Sequence, residues 1–255
     1  MTTDCNFMLG FGIFAGDSRL CVARIAQWVS SGDRPRWLAC LNPHSYVEAL
    51  RRPDFARALE EADWLVPDGT GVTLASRILG AGIRARVTGS DVFTGLSRHL
   101  DERGGARVFF LGSTPETLAA IQARYEREYP NLRVVGTYAP PFRTEFSEAD
   151  YDAMAATINA VRPDVLWVGM GAPKQEISIH HLRDRLDVHF AAAIGAVFDF
   201  YAGRVNRASP LFRRLGLEWL PRLLQEPRRL WRRMFVSAPV FLWHVARAWV
   251  GGARG

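Results

Sequence analysis

Two short stretches of the sequence carry side chains that could transfer a group between substrates. Asp68 comes directly before a Gly-Thr-Gly tripeptide, and Lys174, Gln175 and Glu176 follow one another in the run 171–176. Because glycine lets the backbone approach a ligand closely, Asp68 could act as a general base on an acceptor hydroxyl. A lysine, an amide and a carboxylate together could hold a sugar and its phosphate. Each stretch is also typical of a helix start. The spacing alone therefore does not decide between a role in the active site and a role in starting a helix.

Three smaller groups of residues could bind a phosphate or a sugar. Gly112, Ser113 and Thr114 join a predicted strand to a predicted helix. The free amides at such a helix start suit a phosphate, although the same residues also begin an ordinary helix. Asn42 could orient a sugar hydroxyl or bond the local backbone. Arg86 places a cation near another helix start.

These residues need a framework that brings them together. Apolar runs predict strands near 36–41, 63–67, 106–111, 132–137, 164–168 and 188–194. Helical patterns fall between them, at 18–31, 45–62 with a break at Pro53, 70–80, 90–103, 115–129, 147–161 and 173–185. This alternation indicates an α/β fold with a Rossmann-like, mainly parallel sheet and helices on both faces.

The predicted site residues share one position relative to these strands. They follow strand ends, where ligands of open parallel sheets bind. We therefore predict one cleft with catalytic Asp68 and Gln175 and with substrate-binding Asn42, Arg86, Gly112, Ser113, Thr114, Gly171, Lys174 and Glu176.

Composition narrows the class of protein. A chain of 255 residues with 48% hydrophobic content can bury one large core. The three cysteines form no closely spaced pair and there are only six histidines, so we expect no metal site. We expect no cofactor either. The first ten residues lack the basic and apolar regions of a secretory signal, which favours the cytoplasm.

The positive charge is concentrated at one end. The net charge is +6, but residues 204–255 hold 11 arginines and 2 glutamates, or +9. Residues 1–203 therefore carry 21 basic and 24 acidic side chains, or −3. We divide the chain into an α/β core at 1–203 and an arginine-rich, helical, membrane-associating appendage at 204–255. Such a basic segment attracts anions, and a solvated helical face is the alternative.

The appendage contains two kinds of segment. Arg222, Arg229 and Arg233 are spaced to share one helical face, and together with Arg232 they could neutralise an acceptor diphosphate. Residues 234–250 are apolar but interrupted by a proline, a histidine and an arginine, and they are short for a membrane span. We expect them to lie in the membrane interface, or else to pack on the core or a subunit contact.

Five ordered motifs resemble the WecG/TagA/CpsF glycosyltransferase family between about residues 36 and 233. They are Asp68-Gly69-Thr70-Gly71-Val72, Arg86-Val87-Thr88-Gly89-Ser90-Asp91, the run 171–176, Phe198-Asp199-Phe200-Tyr201-Ala202-Gly203, and 216–220 continuing into 226–230.

The resemblance implies an inverting, metal-independent hexosyltransferase at the inner face of the cell membrane. A UDP-sugar would be the donor, and a polyprenyl-diphosphate-linked saccharide the acceptor, in exopolysaccharide or cell-envelope polysaccharide synthesis. It also implies that Asp68 is the base and that Gln175 lies near the sugar. Where the family often has threonine, this chain has Cys40 before Asn42, so the expected donor sugar is of the glucose or the N-acetylmannosamine type.

Two other functions compete with this hypothesis. The basic end could belong to a nucleic-acid-binding α/β protein, although the sequence carries no recognised nucleic-acid-binding motif. A nicotinamide-dependent dehydrogenase would need a G-x-G-x-x-G turn after an early strand, and the sequence has none there. We therefore expect a UDP-sugar, a lipid-linked acceptor and the membrane surface as partners, no nucleic acid, and possible assembly into a homo-oligomer.

Overall fold

A six-stranded parallel sheet forms the centre of the fold in the computed structural model, which describes residues 4–32, 35–204 and 231–252. In chain order the strands are β1 (Cys5–Met8), β2 (Phe11–Phe14), β3 (Arg36–Leu41), β4 (Trp64–Pro67), β5 (Arg107–Gly112), β6 (Arg133–Tyr138), β7 (Val165–Gly169) and β8 (Phe190–Ala193). The sheet order is β4-β3-β8-β7-β5-β6, and each neighbouring pair is parallel. The six predicted strands and the α/β fold class are confirmed.

The sequence patterns missed an antiparallel hairpin formed by β1 and β2. Its turn is Leu9-Gly10, with φ of 51° and 90°. Two-residue turns with positive φ usually carry Asn-Gly or Asp-Gly, because a β-branched or bulky residue rarely adopts that backbone. A leucine there is no turn signal, so these short strands could not be recognised from sequence.

The helices begin and end close to their predicted positions. They are α1 (Ser18–Ser31), α2 (Pro43–Ala49), α3 (Pro53–Glu60), α4 (Thr70–Leu79), α5 (Gly89–Glu102), α6 (Pro115–Glu128), α7 (Glu148–Asn159), α8 (Lys174–Leu182), α9 (Val197–Tyr201), a π-helical turn (Arg233–Ser237) and α10 (Ala238–Gly252). The predicted break at Pro53 separates α2 from α3, because proline favours the first turn of a helix. Helix α9 was not predicted, since five residues are too few to show a period.

Side chains alternate along each strand and build a core on both faces of the sheet. In β3, Trp37, Ala39 and Leu41 join one buried cluster, which also contains residues of α2, α3, α4, α7, α8 and α10. Leu38 and Cys40 join the other cluster, with residues of α1, α5, α6 and α9. Because both faces of β3, β4, β5, β7 and β8 are covered, these strands are almost entirely apolar, and this made them predictable; the edge strand β6 is only partly buried.

The C-terminal helix α10 packs on the first of these two cores. Phe241 and Val245 are each 2% exposed. The Phe241 ring meets the edge of Tyr46 in α2, at 5.3 Å between ring centres. Just before α10, the Ser237 hydroxyl lies 2.9 Å from Nδ1 of His44. One of the two interpretations of segment 234–250, packing on the core, therefore holds for these residues.

The opposite side of α10 is exposed. Leu242, Trp243, Trp249 and Val250 are each 45–58% exposed. Within the described ranges, no helix is both long and apolar enough to cross a bilayer.

An ion cluster joins α3 to α8 on the same face of the sheet. The Glu61 carboxylate accepts hydrogen bonds from Arg57 at 2.7 Å and from His180 at 3.1 Å, and Arg183 donates to it as well. The hydrogen bonds from Arg57, Arg183 and His180 lower the pKa of Glu61 to about 2, because they favour the charged carboxylate.

Candidate active site

Four loops with predicted site residues leave the sheet at the same edge. Asn42 follows β3 and Asp68 follows β4, and these strands are paired with Leu41 opposite Pro67. Gly112 ends β5, and the run 171–176 follows β7. Because the strands are parallel, their carboxyl ends lie along one edge, where ligands of open α/β sheets bind.

Asp68 is held beside the end of β3. Its backbone N–H donates to the carbonyl oxygen of Leu41 at 2.8 Å. The N-cap residue of α4 is Gly69, with φ of 101°, and Gly69 provides no side-chain capping bond. The N-cap position of α4 therefore belongs to Gly69, and Asp68 directly precedes it. This position is compatible with a base that faces the cleft.

The buried thiol of Cys40, near the end of β3, is influenced by two carboxylates. Burial raises the pKa of the Cys40 thiol well above its ordinary value, and the negative charges of Asp68 and Glu176 raise it further. The backbone N–H of Gly89 acts in the opposite direction. Asp68 follows β4 and Glu176 lies in the first turn of α8, 108 residues later in the sequence, yet the charges of both act on one buried thiol.

Asn42 uses half of its side chain locally. Its Oδ1 accepts hydrogen bonds from the backbone N–H groups of His44 and Ser45, both at 3.0 Å, and so caps α2. The Ser45 hydroxyl accepts from the Asn42 backbone N–H at 2.8 Å and completes the capping box. The local-backbone role therefore holds for Oδ1, and the Nδ2 end is the part that could meet a sugar.

Arg86 lies half-buried next to the end of β4. The following residue, Val87, donates its backbone N–H to the Pro67 carbonyl oxygen at 3.1 Å. Asp91 completes the capping box of α5, whose N-cap residue is Thr88: its carboxylate accepts from the Thr88 backbone N–H at 2.9 Å. Arg86 thus remains in the predicted set, whereas Asp91 has a structural role.

Gln175 and Glu176 are buried at the first turn of α8, with 4% and 1% exposure. The Gln175 Nε2 lies 2.9 Å from Oε1 of Glu176, and the Gln175 Oε1 lies 3.2 Å from the backbone N of Gly171. Gly171 has φ of 79°, a left-handed conformation that favours glycine. These two side chains are therefore buried, and they do not belong to a helix start that is exposed to solvent.

Lys174 points to a loop rather than to its two neighbours. Its Nζ donates to the carbonyl oxygen of Arg143 and lies 3.8 Å from the centre of the Phe146 ring. Burial lowers the pKa of Lys174, while the charge of Asp150 raises it. The structure thus places this predicted substrate-binding residue at the loop between β6 and α7.

Thr114 and its neighbours form a tight turn at the start of α6. Gly112 and Ser113 have φ of 115° and 59°. Thr114 caps α6 by accepting from the backbone N–H of Thr117 at 3.3 Å. Arg204 donates to the hydroxyl oxygen of Thr117 at 2.6 Å, which brings a guanidinium to this helix start.

Comparison with known proteins decides the class of the site. A sequence model of the glycosyl transferase WecG/TagA/CpsF family matches residues 7–255. The chain belongs to this family. The transferase is therefore an enzyme, and the nucleic-acid-binding alternative loses its support.

Curated relatives carry a more specific name. The transferase is 34% identical over 206 residues to an N-acetylglucosaminyldiphosphoundecaprenol N-acetyl-beta-D-mannosaminyltransferase of Bacillus spizizenii, covering 81% of this chain and 77% of the relative. A Bacillus subtilis protein of the same name is 30% identical, with 80% and 76% covered. A Staphylococcus aureus protein of that name is 27% identical, with 83% and 80% covered.

The predicted arginine face of the transferase lies only partly within the described residues. Arg222 and Arg229 lie outside the described residues. Arg232 is exposed, and Arg233 begins the π-helical turn. Four residues after Arg233, the Ser237 hydroxyl contacts His44 in the first turn of α2, next to Asn42.

Two residues near the cleft of the transferase were not among the predicted site residues. Arg204 donates to Thr117 at the start of α6, and nothing in the sequence around Arg204 predicted this contact. Gly195 follows β8 and lies next to the Gln175 amide. A Cβ at this position would be 3.3 Å from that amide. A glycine after a strand was the available signal, but only the fold reveals what it faces. In the described ranges, no three metal-ligating side chains cluster.

Proposed function

We propose that this glycosyltransferase moves N-acetylmannosamine from its UDP-linked form to N-acetylglucosamine carried on undecaprenyl diphosphate. The names of the Bacillus and Staphylococcus relatives support the acceptor and the transferred sugar. The product would enter a cell-envelope polysaccharide, and an exopolysaccharide is the other destination. The strand-end cleft supports a nucleotide-linked donor, because α/β folds bind such ligands there.

Asp68 is the proposed general base. It would take the proton from the acceptor hydroxyl while that oxygen attacks the anomeric carbon and UDP leaves from the opposite side, which inverts the configuration. The observation that carries this role is the place of Asp68 at the carboxyl ends of two paired strands: it directly follows β4, and its backbone N–H donates to the carbonyl oxygen of Leu41 at the end of β3 at 2.8 Å. A base at this edge would lie among the residues proposed to hold the donor.

Replacing Asp68 with asparagine tests this role. We expect turnover to fall about 10²-fold or more, because general-base contributions are of that size. Asp187→Asn is the matched control, since its side chain is 71% exposed and remote from the strand-end loops. Near-normal transfer by a folded Asp68→Asn protein would remove Asp68 from the mechanism.

Cys40 stands where the family often has threonine, so the identity of the donor sugar has to be tested by experiment. Its side chain is 9% exposed and belongs to the buried cluster beneath the cleft. A panel of UDP-sugars with a lipid-linked acceptor, read by mass spectrometry, compares N-acetylmannosamine with glucose. The same panel on Cys40→Thr shows whether this position selects the sugar. Transfer of glucose alone by the natural chain would overturn the proposed donor.

Catalysis without a metal is also part of the proposal. The base would be a protein carboxylate, and the UDP leaving group would be stabilised by cationic and amide groups rather than by a divalent ion. We expect activity to survive EDTA. Loss of activity on chelation, with recovery when a divalent ion is restored, would contradict this.

Attachment to the inner face of the cell membrane completes the proposal. Trp243 and Trp249 are 56% and 58% exposed on α10, and the Arg247 guanidinium lies 5.5 Å from the Trp243 ring centre. Exposed tryptophans next to a cation suit the interface between lipid headgroups and acyl chains. The buried side of α10 packs on Tyr46 of α2, the helix that Asn42 caps, so membrane contact through α10 would lie close to the cleft.

Vesicle flotation tests the attachment. The Trp243→Ser, Trp249→Ser double variant should lose most of its binding to vesicles that contain anionic lipid. Leu20→Ser is the control, because Leu20 is 39% exposed on α1, which covers the opposite face of the sheet. Equal flotation of the double variant and the control would place the contact elsewhere.

A further inference from the structure

The side chain of Gln175 has two partners of fixed chemical character. The backbone N–H of Gly171 can only donate, so the atom facing it at 3.2 Å must be the carbonyl oxygen Oε1. The amide nitrogen Nε2 then faces Glu176 Oε1 at 2.9 Å, and that oxygen must accept. The two contacts together allow one orientation of the amide and exclude the flipped one.

This orientation leaves one N–H of the amide. Among the residues that the structure describes, Gly171 and Glu176 are the hydrogen-bond partners of the Gln175 side chain. Nε2 carries two hydrogens, and Glu176 takes one of them. Gln175 can therefore still donate one hydrogen bond through Nε2, and its Oε1 keeps one lone pair beside the bond from Gly171.

Gly195 keeps the space beside this amide open. A Cβ on Gly195 would lie 3.3 Å from both Nε2 and Oε1 of Gln175. Gly195 has φ of 49° and lies two residues after the end of β8, at the carboxyl edge of the sheet. The amide thus lies beside the ends of β7 and β8, at the same edge as Asp68.

We propose that Glu176 is a positioning residue that orients Gln175, so that Gln175 donates its remaining N–H to an acceptor oxygen of the sugar nucleotide. A ring hydroxyl, an acetamido carbonyl or a phosphate oxygen has the required chemistry. This inference rests on the proposed function, since it assumes a sugar nucleotide in the cleft. Glu176 itself is 1% exposed and would act through Gln175 rather than touch the substrate.

Two substitutions of Glu176 separate the orienting role from a packing role. Glu176→Gln keeps an oxygen that can accept from Gln175, whereas Glu176→Leu fills similar space without an acceptor. We expect the KM for the UDP-sugar to rise about tenfold in Glu176→Leu, the size of one lost hydrogen bond, and to stay within about threefold in Glu176→Gln. The KM for the lipid-linked acceptor should not change. Partial unfolding would instead lower kcat and leave both KM values unaltered.

A double-mutant cycle tests whether Glu176 acts through Gln175. Gln175→Leu should raise the KM for the UDP-sugar by a similar factor, and adding Glu176→Leu to it should give no further rise. Additive effects, or an unchanged KM in a folded Glu176→Leu protein, would overturn the proposal.

The hydrogen bond can also be measured without activity. The chain has four glutamines, and the side-chain amide signals of Gln175 in a ¹H–¹⁵N spectrum are identified by their loss in Gln175→Leu. We expect these signals to shift in Glu176→Leu and to move less in Glu176→Gln. No shift would refute the orienting bond. If calorimetry shows that the natural chain binds no UDP-sugar, the proposed function fails, and the spectrum still decides the role of Glu176.

Discussion

Replacing Gly112 with alanine should force the carboxyl ends of β5 and β7 apart. Gly112 lies opposite Gly169 in the pairing of these strands. A Cβ on Gly112 would lie 2.6 Å from the carbonyl oxygen of Gly169 and 2.7 Å from Cγ of Met170. The oxygen belongs to the backbone of the neighbouring strand, so relief requires the strand itself to move.

Gly104 provides a control that separates this contact from backbone strain. Gly112 and Gly104 have similar φ, 115° and 105°, but a Cβ on Gly104 would meet nothing within 4 Å. Alanine at either position pays the cost of an unfavourable φ, about 1–3 kcal/mol. Alanine at Gly112 adds the cost of overpacking, about 1–3 kcal/mol. The difference between the two variants therefore measures the contact alone.

Urea unfolding of both variants gives the two free energies. We expect Gly112→Ala to be less stable than Gly104→Ala by about 1–3 kcal/mol, with similar denaturant slopes. Gly112→Ala should also lose activity, because β5 and β7 lead into the loops with Ser113 and Gly171. If Gly112→Ala lost no more stability than Gly104→Ala, the close packing of the two strand ends would be refuted.

Three further predictions concern other parts of the molecule. The pKa of Glu61 is lowered to about 2 from an ordinary value of 4.5, so its carboxylate stabilises the fold above about pH 4.5 and this stability is lost as the pH falls towards 2. In urea unfolding, the Glu61→Gln variant should have a lower free energy of unfolding than the natural chain at pH 7, and the two values should converge in acid. Lys174→Met removes the bond to the Arg143 carbonyl, so trypsin should cleave after Arg143 several-fold faster, and an unchanged rate would show that Lys174 does not hold that loop. Phe241→Ala should cost about 3–5 kcal/mol, because Phe241 is 2% exposed. The neighbouring Leu242→Ala should stay within about 0.5 kcal/mol, because Leu242 is 53% exposed, and equal losses would contradict the docking of α10.

The candidate site was partly predictable from the sequence. Asn42 and Asp68 follow apolar runs, and the carboxyl ends of parallel strands share an edge, so their proximity could be expected. Which bonds each side chain makes could not. Asn42 caps α2, Asp68 is not the cap residue of α4, and Lys174 contacts a loop 31 residues away. Asn42, Asp68 and Lys174 all lie at a helix start in the sequence. Their bonds differ because different residues surround them in the folded protein.

The sequence by itself determined the six parallel strands, most helices and the order of the family motifs. Strands buried on both faces appear as apolar runs, and helix starts at Pro43, Pro115 and Ser147 carry proline or a capping hydroxyl, so these signals come from adjacent residues. Only the tertiary structure decided that β8 lies between β3 and β7 and that Glu176 orients the Gln175 amide beside Gly195. Strand order and amide orientation depend on which distant groups meet when the core closes, and no local pattern encodes that choice.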